Sequence, residues 1–259
     1  MANTALITGA SAGIGTEFAR YHARHGGDLI IAARRAEALE ELKKEIEAAH
    51  GDVTVHVVPA DLGTQAGAEK LIADVDALGV DVDILINNAG FGGHGTILDR
   101  DAASDRAMID LNVQTLVALT HHFGAKMAER GKGRILNVGS TAGFMPGPGQ
   151  ATYFATKAFV NSFSQAVDQE LRSKGVTCTV LAPGYVETEF AKVANLEDTN
   201  LVKGGGKSAK SVAKFGYDAM RRGELVVVNE KMLSFLLNWV TPLLPRRSVL
   251  KMVDKMQAK

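Results

Sequence analysis

The 259-residue chain has a single cysteine, Cys178, so an intramolecular disulfide is excluded. Set between Thr177 and Thr179 in an apolar run, that cysteine reads as an inert buried thiol. Neither sign of charge is in excess: Lys plus Arg and Asp plus Glu number 29 each. No net field draws the molecule toward nucleic acid or an anionic surface, and a nucleic-acid partner is not expected. The opening stretch MANTALIT lacks the basic-then-apolar pattern of an export signal. With the single cysteine, this points to a reducing, cytoplasmic setting. Metal-ligand patterning is also missing. Seven histidines are present, but no Asp, Glu or Cys set accompanies them at ligand spacing, and the adjacent His121 and His122 point about 100° apart on a helix, so no metal is expected.

No run near the C-terminus is long enough for a transmembrane segment. The charge-free stretch MLSFLLNWVTPLLP at 232–245 falls short of the roughly 20 residues a spanning helix needs. Within it, Leu233, Leu236, Leu237 and Val240 are spaced i, i+3, i+4, i+7, with Lys231 before and Arg246 and Arg247 after. This predicts one apolar helical face that packs over a substrate cleft or a subunit contact, or rests on a membrane surface. A Pro/Ser-rich linker and internal repeats are absent too, so residues 1–259 are expected to form one domain.

What is present is alternation. TALIT, DLIIAA, VTVHVVPA, VDILIN, GRILNVGS, VTCTVLAP and ELVVVN read as about seven strands, apolar nearly throughout. Between them, segments such as EALEELKKEIEAAH and AEKLIADVDAL carry helical spacing. Strand-helix alternation with doubly buried strands predicts an α/β fold, a doubly wound parallel sheet covered on both faces. The segment LEDTNLVKGGGKSAK, polar and glycine-rich, predicts a mobile excursion over about 190–210.

The first strand runs into a glycine turn, with Gly9, Gly13 and Gly15 spaced G-x-x-x-G-x-G at the opening of a helix. Glycine allows a tight turn and close approach by a large anionic ligand, and helix N-terminal amides suit a pyrophosphate; a purely structural turn is the alternative. The second strand ends IAARR. Ala33 stands where NAD-preferring dinucleotide folds place an acid, and Arg34 and Arg35 follow, in position to meet a 2′-phosphate. That favours NADP over NAD, the alternative being two solvated arginines. Further on, Tyr153 and Lys157 lie four apart on one helical face, and Ser140 closes a strand thirteen residues before Tyr153. A nearby ammonium stabilises a phenolate and lowers the phenol's pKa, making a tunable proton donor, while a serine hydroxyl can hydrogen-bond a substrate oxygen. Tyr-x-x-x-Lys also occurs on ordinary helices.

Taken in order, TGASAGIG at 8–15, ADL at 60–62, NNAG at 87–90, LNVQT at 111–115, Ser140, YFATK at 153–157 and PGYVET at 183–188 resemble the short-chain dehydrogenase/reductase family over nearly the whole chain. The resemblance implies a Rossmann-type domain with strand order 3-2-1-4-5-6-7. It also implies hydride exchange between NADP(H) and a ketone or secondary alcohol, and a homodimer or homotetramer. It casts Tyr153 as general acid, Ser140 as the group polarising the carbonyl, and Lys157 as the cation that lowers the Tyr153 pKa and holds the nicotinamide ribose. Asn112 resembles the asparagine that keeps a water in the proton relay. Cofactor contacts are implied for Gly9, Ser11, Gly13, Ile14, Gly15, Arg34 and Arg35. The same holds for Asp61 at the adenine, Leu62, Asn87 by its backbone beside the adenine-side ribose, Ala89 and Gly90. Pro183, Gly184, Val186 and Thr188 are implied near the nicotinamide. Ala12, where the family often has serine or glycine, is a small departure.

His94 and Phe91, in FGGHG after NNAG, read as neighbours of a substrate cleft or as part of a plain glycine loop. A lid built from 190–210 and the apolar C-terminal part, 230–259, points to a hydrophobic carbonyl substrate. A non-catalytic nucleotide sensor or scaffold is the alternative function, and it has no use for Ser140, Tyr153, Lys157 and Asn112 together.

Overall fold

The computed structural model describes residues 3–258. Seven parallel strands make one sheet: β1 (Thr4–Thr8), β2 (Leu29–Ala33), β3 (Val55–Pro59), β4 (Val82–Asn87), β5 (Gly133–Val138) and β6 (Val176–Leu181), with a seventh near the C-terminus. Between β6 and that last strand, two short strands, β7 (Val186–Glu187) and β8 (Lys207–Ser208), pair only with each other. The sheet's final strand is therefore β9 (Val226–Val227), and the order is β3-β2-β1-β4-β5-β6-β9. This is the order the resemblance implied, with the run ELVVVN contributing only its two central valines.

Side chains along each strand alternate faces, and both faces are dry. On one side Ala5, Ile7, Leu29, Ile31 and Ile84 pack against α1 (Gly13–Ala23), α2 (Ala36–Ala49) and α9 (Ala209–Arg222), through Phe18, Leu39 and Tyr217 among others. On the other, Leu6, Ile30, Leu85 and Ile135 pack against α3 (Gln65–Ala77), α5 (Leu116–Glu129) and α6 (Ala151–Leu171), through Leu71, Phe123 and Val167. Ahead of α5, α4 (Ala102–Ile109) runs into a wider π turn at Asp110–Thr115.

The expected excursion at 190–210 is an ordered structure. It holds α7 (Phe190–Val193) and α8 (Asn200–Lys203), and Ala191, Ala194 and Leu196 bury against Tyr185, Phe190 and Val202. Apolar residues spaced through this polar segment gather into a small core of their own, which periodicity over so short a stretch does not reveal. Beyond β9 come α10 (Lys231–Phe235), a π turn at Leu236–Val240, and α11 (Arg246–Gln257). Val249, Val253 and Gln257, spaced by four, face inward on α11. Asn200 ties α8 to α11, its amide N donating to the Ala258 carbonyl at 3.1 Å and its side chain to that of Lys255 at 3.1 Å.

Candidate active site

The order of strands reverses between β1 and β4, and a crevice opens at their carboxyl ends. Thr8 closes its floor. Its hydroxyl accepts from the backbone amides of Asn88 and Ala89, both at 3.0 Å, and the Asn88 side chain donates back to the Thr8 carbonyl at 2.9 Å. The glycines above them are there for space. A Cβ on Gly15 would lie 2.3 Å from the Gly9 carbonyl oxygen and 2.6 Å from Asn88 Nδ2, so helix α1 and the turn approach backbone to backbone. Gly9 and Gly13 additionally have φ of +66° and +59°, left-handed values that side chains rarely adopt.

A dinucleotide fits this cradle. Helix α3 is capped by the Thr64 hydroxyl, α4 by the Asp101 carboxylate and α9 by the Ser208 hydroxyl, whereas α1 starts behind Ala12 with no side-chain cap and no acid in its first turn. Its first residues, Gly13 and Ile14, line the crevice, and like α2, α6 and α11 the helix leaves its first amides without a side-chain partner and able to meet an anion. Gly9, Ser11, Gly13 and Ile14 line the cavity, and Arg34 stands at the same end.

The two arginines after β2 part company. Arg34 lines the cavity, but Arg35 reaches across its mouth, its Nη2 donating to the Ser11 carbonyl at 3.1 Å and to Glu189 Oε2 at 3.2 Å. Ala89 and Gly90 line the cavity as expected, with Asn88, which sequence reading passed over, between them and the turn. The Asn87 side chain turns the other way, donating to Thr120 Oγ1 at 3.0 Å and Asn137 Oδ1 at 2.9 Å in the core, and Asn87 is not part of the cavity wall. Alternation along β4 explains this: of two successive asparagines, one must point into the sheet's packed face. Asp61 and Leu62 also lie outside the cavity wall. Asp61 is exposed and accepts from Gly63, and Leu62 is buried in the core, its carbonyl accepting from Thr115 Oγ1 at 2.7 Å.

At the other end, Ser140, Tyr153 and Lys157 line one wall together, and Pro183, Gly184, Val186 and Thr188 line it from the loop after β6. Burial pushes the Tyr153 phenol up to about 12, opposed in part by its hydrogen bond with Ser140. Burial also brings Lys157 down to about 8. The lysine's Nζ donates to the Val138 carbonyl at 2.8 Å and stands 5.9 Å from the centroid of the Tyr153 ring. The depressed phenol expected from the sequence is thus absent from this arrangement: desolvation raises it, and the Lys157 ammonium, held on the Val138 carbonyl 5.9 Å from the ring centroid, does not offset that.

Asn112 sits on the π turn with its amide fully engaged: its Oδ1 accepts from the Phe91 amide at 3.1 Å, and its Nδ2 donates to the Phe91 carbonyl at 3.0 Å and Thr156 Oγ1 at 3.1 Å. It pins the loop after β4 to α6. Phe91 lines the cavity, whereas His94 is drawn to α11, its Nε2 lying 2.9 Å from the Gln257 carbonyl oxygen. Cys178 is fully buried, its thiol pushed up to about 12 by burial and by Asp168. Among the described residues no group of three His, Cys, Asp or Glu side chains is placed to hold a metal.

The remaining wall, which sequence spacing gave no means of assembling, comes from distant segments: Met145, Gln150 and Phe154 around α6, Tyr185, Phe190 and Leu196 after β6, and Val253, Met256 and Gln257 on α11. The only available signal was the four-residue spacing of Val249, Val253 and Gln257, and it does not say what they face.

A doubly wound sheet with a glycine cradle at its switch point and a serine, tyrosine and lysine on one wall defines the Rossmann-type oxidoreductases. Residues 3–199 match the short chain dehydrogenase family, and the chain belongs to it. A sulfoacetaldehyde reductase of Chromohalobacter salexigens is 37% identical over 89% of this chain and 85% of its own length. Among solved structures, a short-chain dehydrogenase from Sphingobium yanoikuyae in complex with NADPH superposes with TM-score 0.85 at 29% identity, covering 93% of this chain and 92% of that one. A bulky-bulky ketone specific alcohol dehydrogenase from Comamonas testosteroni gives 0.77 at 31% identity, covering 87% and 85%.

Proposed function

We propose that the protein is an NADPH-dependent carbonyl reductase acting reversibly on hydrophobic ketones or aldehydes. Residues 1–259 would serve as one dinucleotide-binding and catalytic domain, with 190–210 and α11 as its substrate lid. One observation carries the substrate class. Beyond Tyr153 the cavity wall includes Phe91, Met145, Phe154, Phe190, Val253 and Met256 with the neutral Gln150, Tyr185 and Gln257, Glu189 stands at the rim, and among the described residues the cations lining the cavity are Arg34 and Lys157. Both are taken: Arg34 lies at the dinucleotide end and Lys157 serves the chemistry. A sulfonate such as the one named for the Chromohalobacter relative would meet no counter-charge here, and burying it unpaired is costly.

Gly9, Ser11, Gly13 and Ile14 would cradle the pyrophosphate on the bare N-terminus of α1, and Arg34 would meet the 2′-phosphate. The Structure from Sphingobium carries NADPH in the same fold, which supports the choice. When bound, the reduced nicotinamide supplies the hydride that reaches the carbonyl carbon. The Ser140 hydroxyl donates to the carbonyl oxygen and holds it beside Tyr153, whose proton passes to that oxygen as the new C–H bond forms. A phenol held near 12 is fully protonated at neutral pH, the state reduction requires. Lys157 would return a proton to the tyrosine, itself regaining one from solvent, and would orient the ribose, and Asn112 fixes the loop and helix against each other. In oxidation the same steps run backward.

The test is a panel. NADPH consumption is expected with aryl, alicyclic and long-chain carbonyls, and Tyr153→Phe should lower kcat by about 10²–10⁴-fold while leaving NADPH binding nearly intact. Full activity in that variant removes Tyr153 from the mechanism. Turnover confined to small charged carbonyls overturns the hydrophobic reading, and NADPH binding without turnover of any carbonyl leaves a nucleotide sensor.

A further inference from the structure

The stretch 232–245 was expected to show one apolar face, built from Leu233, Leu236, Leu237 and Val240. It has two. Leu237 is buried, Leu233 and Val240 are partly so, and Leu233 packs against Val180, Ala182 and Val228. The opposite side is also apolar: Met232, Phe235, Leu236 and Trp239, spaced i, i+3, i+4, i+7, with Leu243 next on the stripe. Met232 is 72% exposed, Trp239 70% and Leu243 84%. An isolated exposed leucine is ordinary, but a helical segment apolar on both sides lies inside a protein or against lipid.

Charge says which. From 231 to 258 the chain carries Lys231, Arg246, Arg247, Lys251 and Lys255 against Asp254 alone, so in a chain of zero net charge the positive excess is gathered here and the rest of the molecule is net acidic. All five cations are exposed, and among the described residues none is in an ion pair, although such pairs are common elsewhere on the surface. A second copy docked through the same face would set these cations against their own kind, since a two-fold interface pairs identical patches. An anionic lipid headgroup layer supplies the missing counter-charge, the acyl region takes Phe235, Leu236 and Leu243, and an indole with one apolar body and one N–H suits the boundary between them.

We propose that the segment 231–247 docks this protein peripherally on an anionic membrane surface, with the Met232–Phe235–Trp239–Leu243 stripe inserted and the flanking Lys231, Arg246 and Arg247 on the headgroups. No helix of the described residues is long and apolar enough to cross a membrane, so the attachment is to one leaflet. It stands independently of the substrate proposed above.

Trp239 is the chain's single tryptophan, so its emission reports this surface alone. The full chain should co-sediment with phosphatidylcholine vesicles doped with phosphatidylglycerol at least tenfold more strongly than with phosphatidylcholine alone, with a blue shift of Trp239 emission that high salt reverses. The exposed-residue double variant F235S/W239S should lose sedimentation at unchanged Tm. R246E/R247E, which keeps the tryptophan, should lose both sedimentation and the blue shift, and it preserves the test should the first variant fold poorly. Absence of sedimentation overturns the proposal, as does equal binding to neutral vesicles. So does a Trp239 already shielded without lipid in a dimer that F235S/W239S dissociates, since a second copy then covers the face. Sedimentation unaffected by either variant overturns it too.

Discussion

Lys157 is held in the cavity wall with its charge poorly solvated, and burial brings its pKa to about 8. The cost of that ammonium, a shift of over two units from its ordinary value, is on the order of 3 kcal/mol at neutral pH. Replacing it by methionine removes the penalty and one hydrogen bond to the Val138 carbonyl, so apo Lys157→Met should be more stable by about 2 kcal/mol and melt roughly 4–8 °C higher, while losing turnover. The pH dependence carries the sign. Between about 8 and the ordinary lysine value the unfolded chain holds this proton and the folded one does not, so wild-type stability gains a rising component across that window. Thermal melts of the two proteins from pH 7 to pH 11 check both points; a wild-type melt that falls relative to the variant over the window contradicts the assignment. The pair of arginines shows the same dependence on surroundings. Both are equally placed in the sequence, yet only Arg34 lines the cavity, because Glu189, 154 residues away, draws Arg35 to the rim.

The element on which the proposed cofactor binding rests is the start of α1, where missing groups matter as much as present ones. Without a cap at Ala12 and without a Cβ at Gly15, the helix brings free amides close to the Gly9 turn. A methyl at position 15 must displace backbone on one side and the Asn88 amide on the other. Gly15→Ala is therefore expected to cost about 1–3 kcal/mol and to weaken NADPH binding severely, whereas Gly51→Ala, with nothing within 4 Å of the added carbon, should leave both unchanged. Melting curves and a cofactor titration on the two variants decide it; a Gly15→Ala protein that binds normally means the turn can open by that much at little cost. The π turn at Asp110–Thr115 is the other element with a local purpose. It turns Asn112 onto the Phe91 backbone and Thr115 onto the Leu62 carbonyl, so one widened turn anchors two loops at the strand ends.

Across the whole molecule, the crevice joins β1, β2, β4 and β6, and the 190–210 segment joins it to the last helix, so ligand binding should stabilise the fold as a unit. NADPH at about a hundred times its Kd adds roughly 2.7 kcal/mol. For a chain of this size that raises Tm by about 5–10 °C. NADH at the same concentration should give a clearly smaller rise, since it offers Arg34 no 2′-phosphate. A differential scanning experiment with both cofactors checks this, and an equal or larger shift with NADH overturns the NADP preference.

The seven strands, their burial on both faces and the position of the glycine turn were legible in the chain itself, because short apolar runs alternating with helical spacing, and glycines clustered at a strand end, are local properties of the chain. The clustering of Ser140, Tyr153 and Lys157 was legible as well: two sit one helical turn apart, and the third ends a strand that must abut that helix. Two things were decided only by tertiary packing: the separate duties of Arg34 and Arg35, and the ordering of 190–210 against α11. Each depends on partners more than thirty residues distant, and a contact of that kind is set by which surfaces the folded sheet and helices bring together, not by any spacing along the chain.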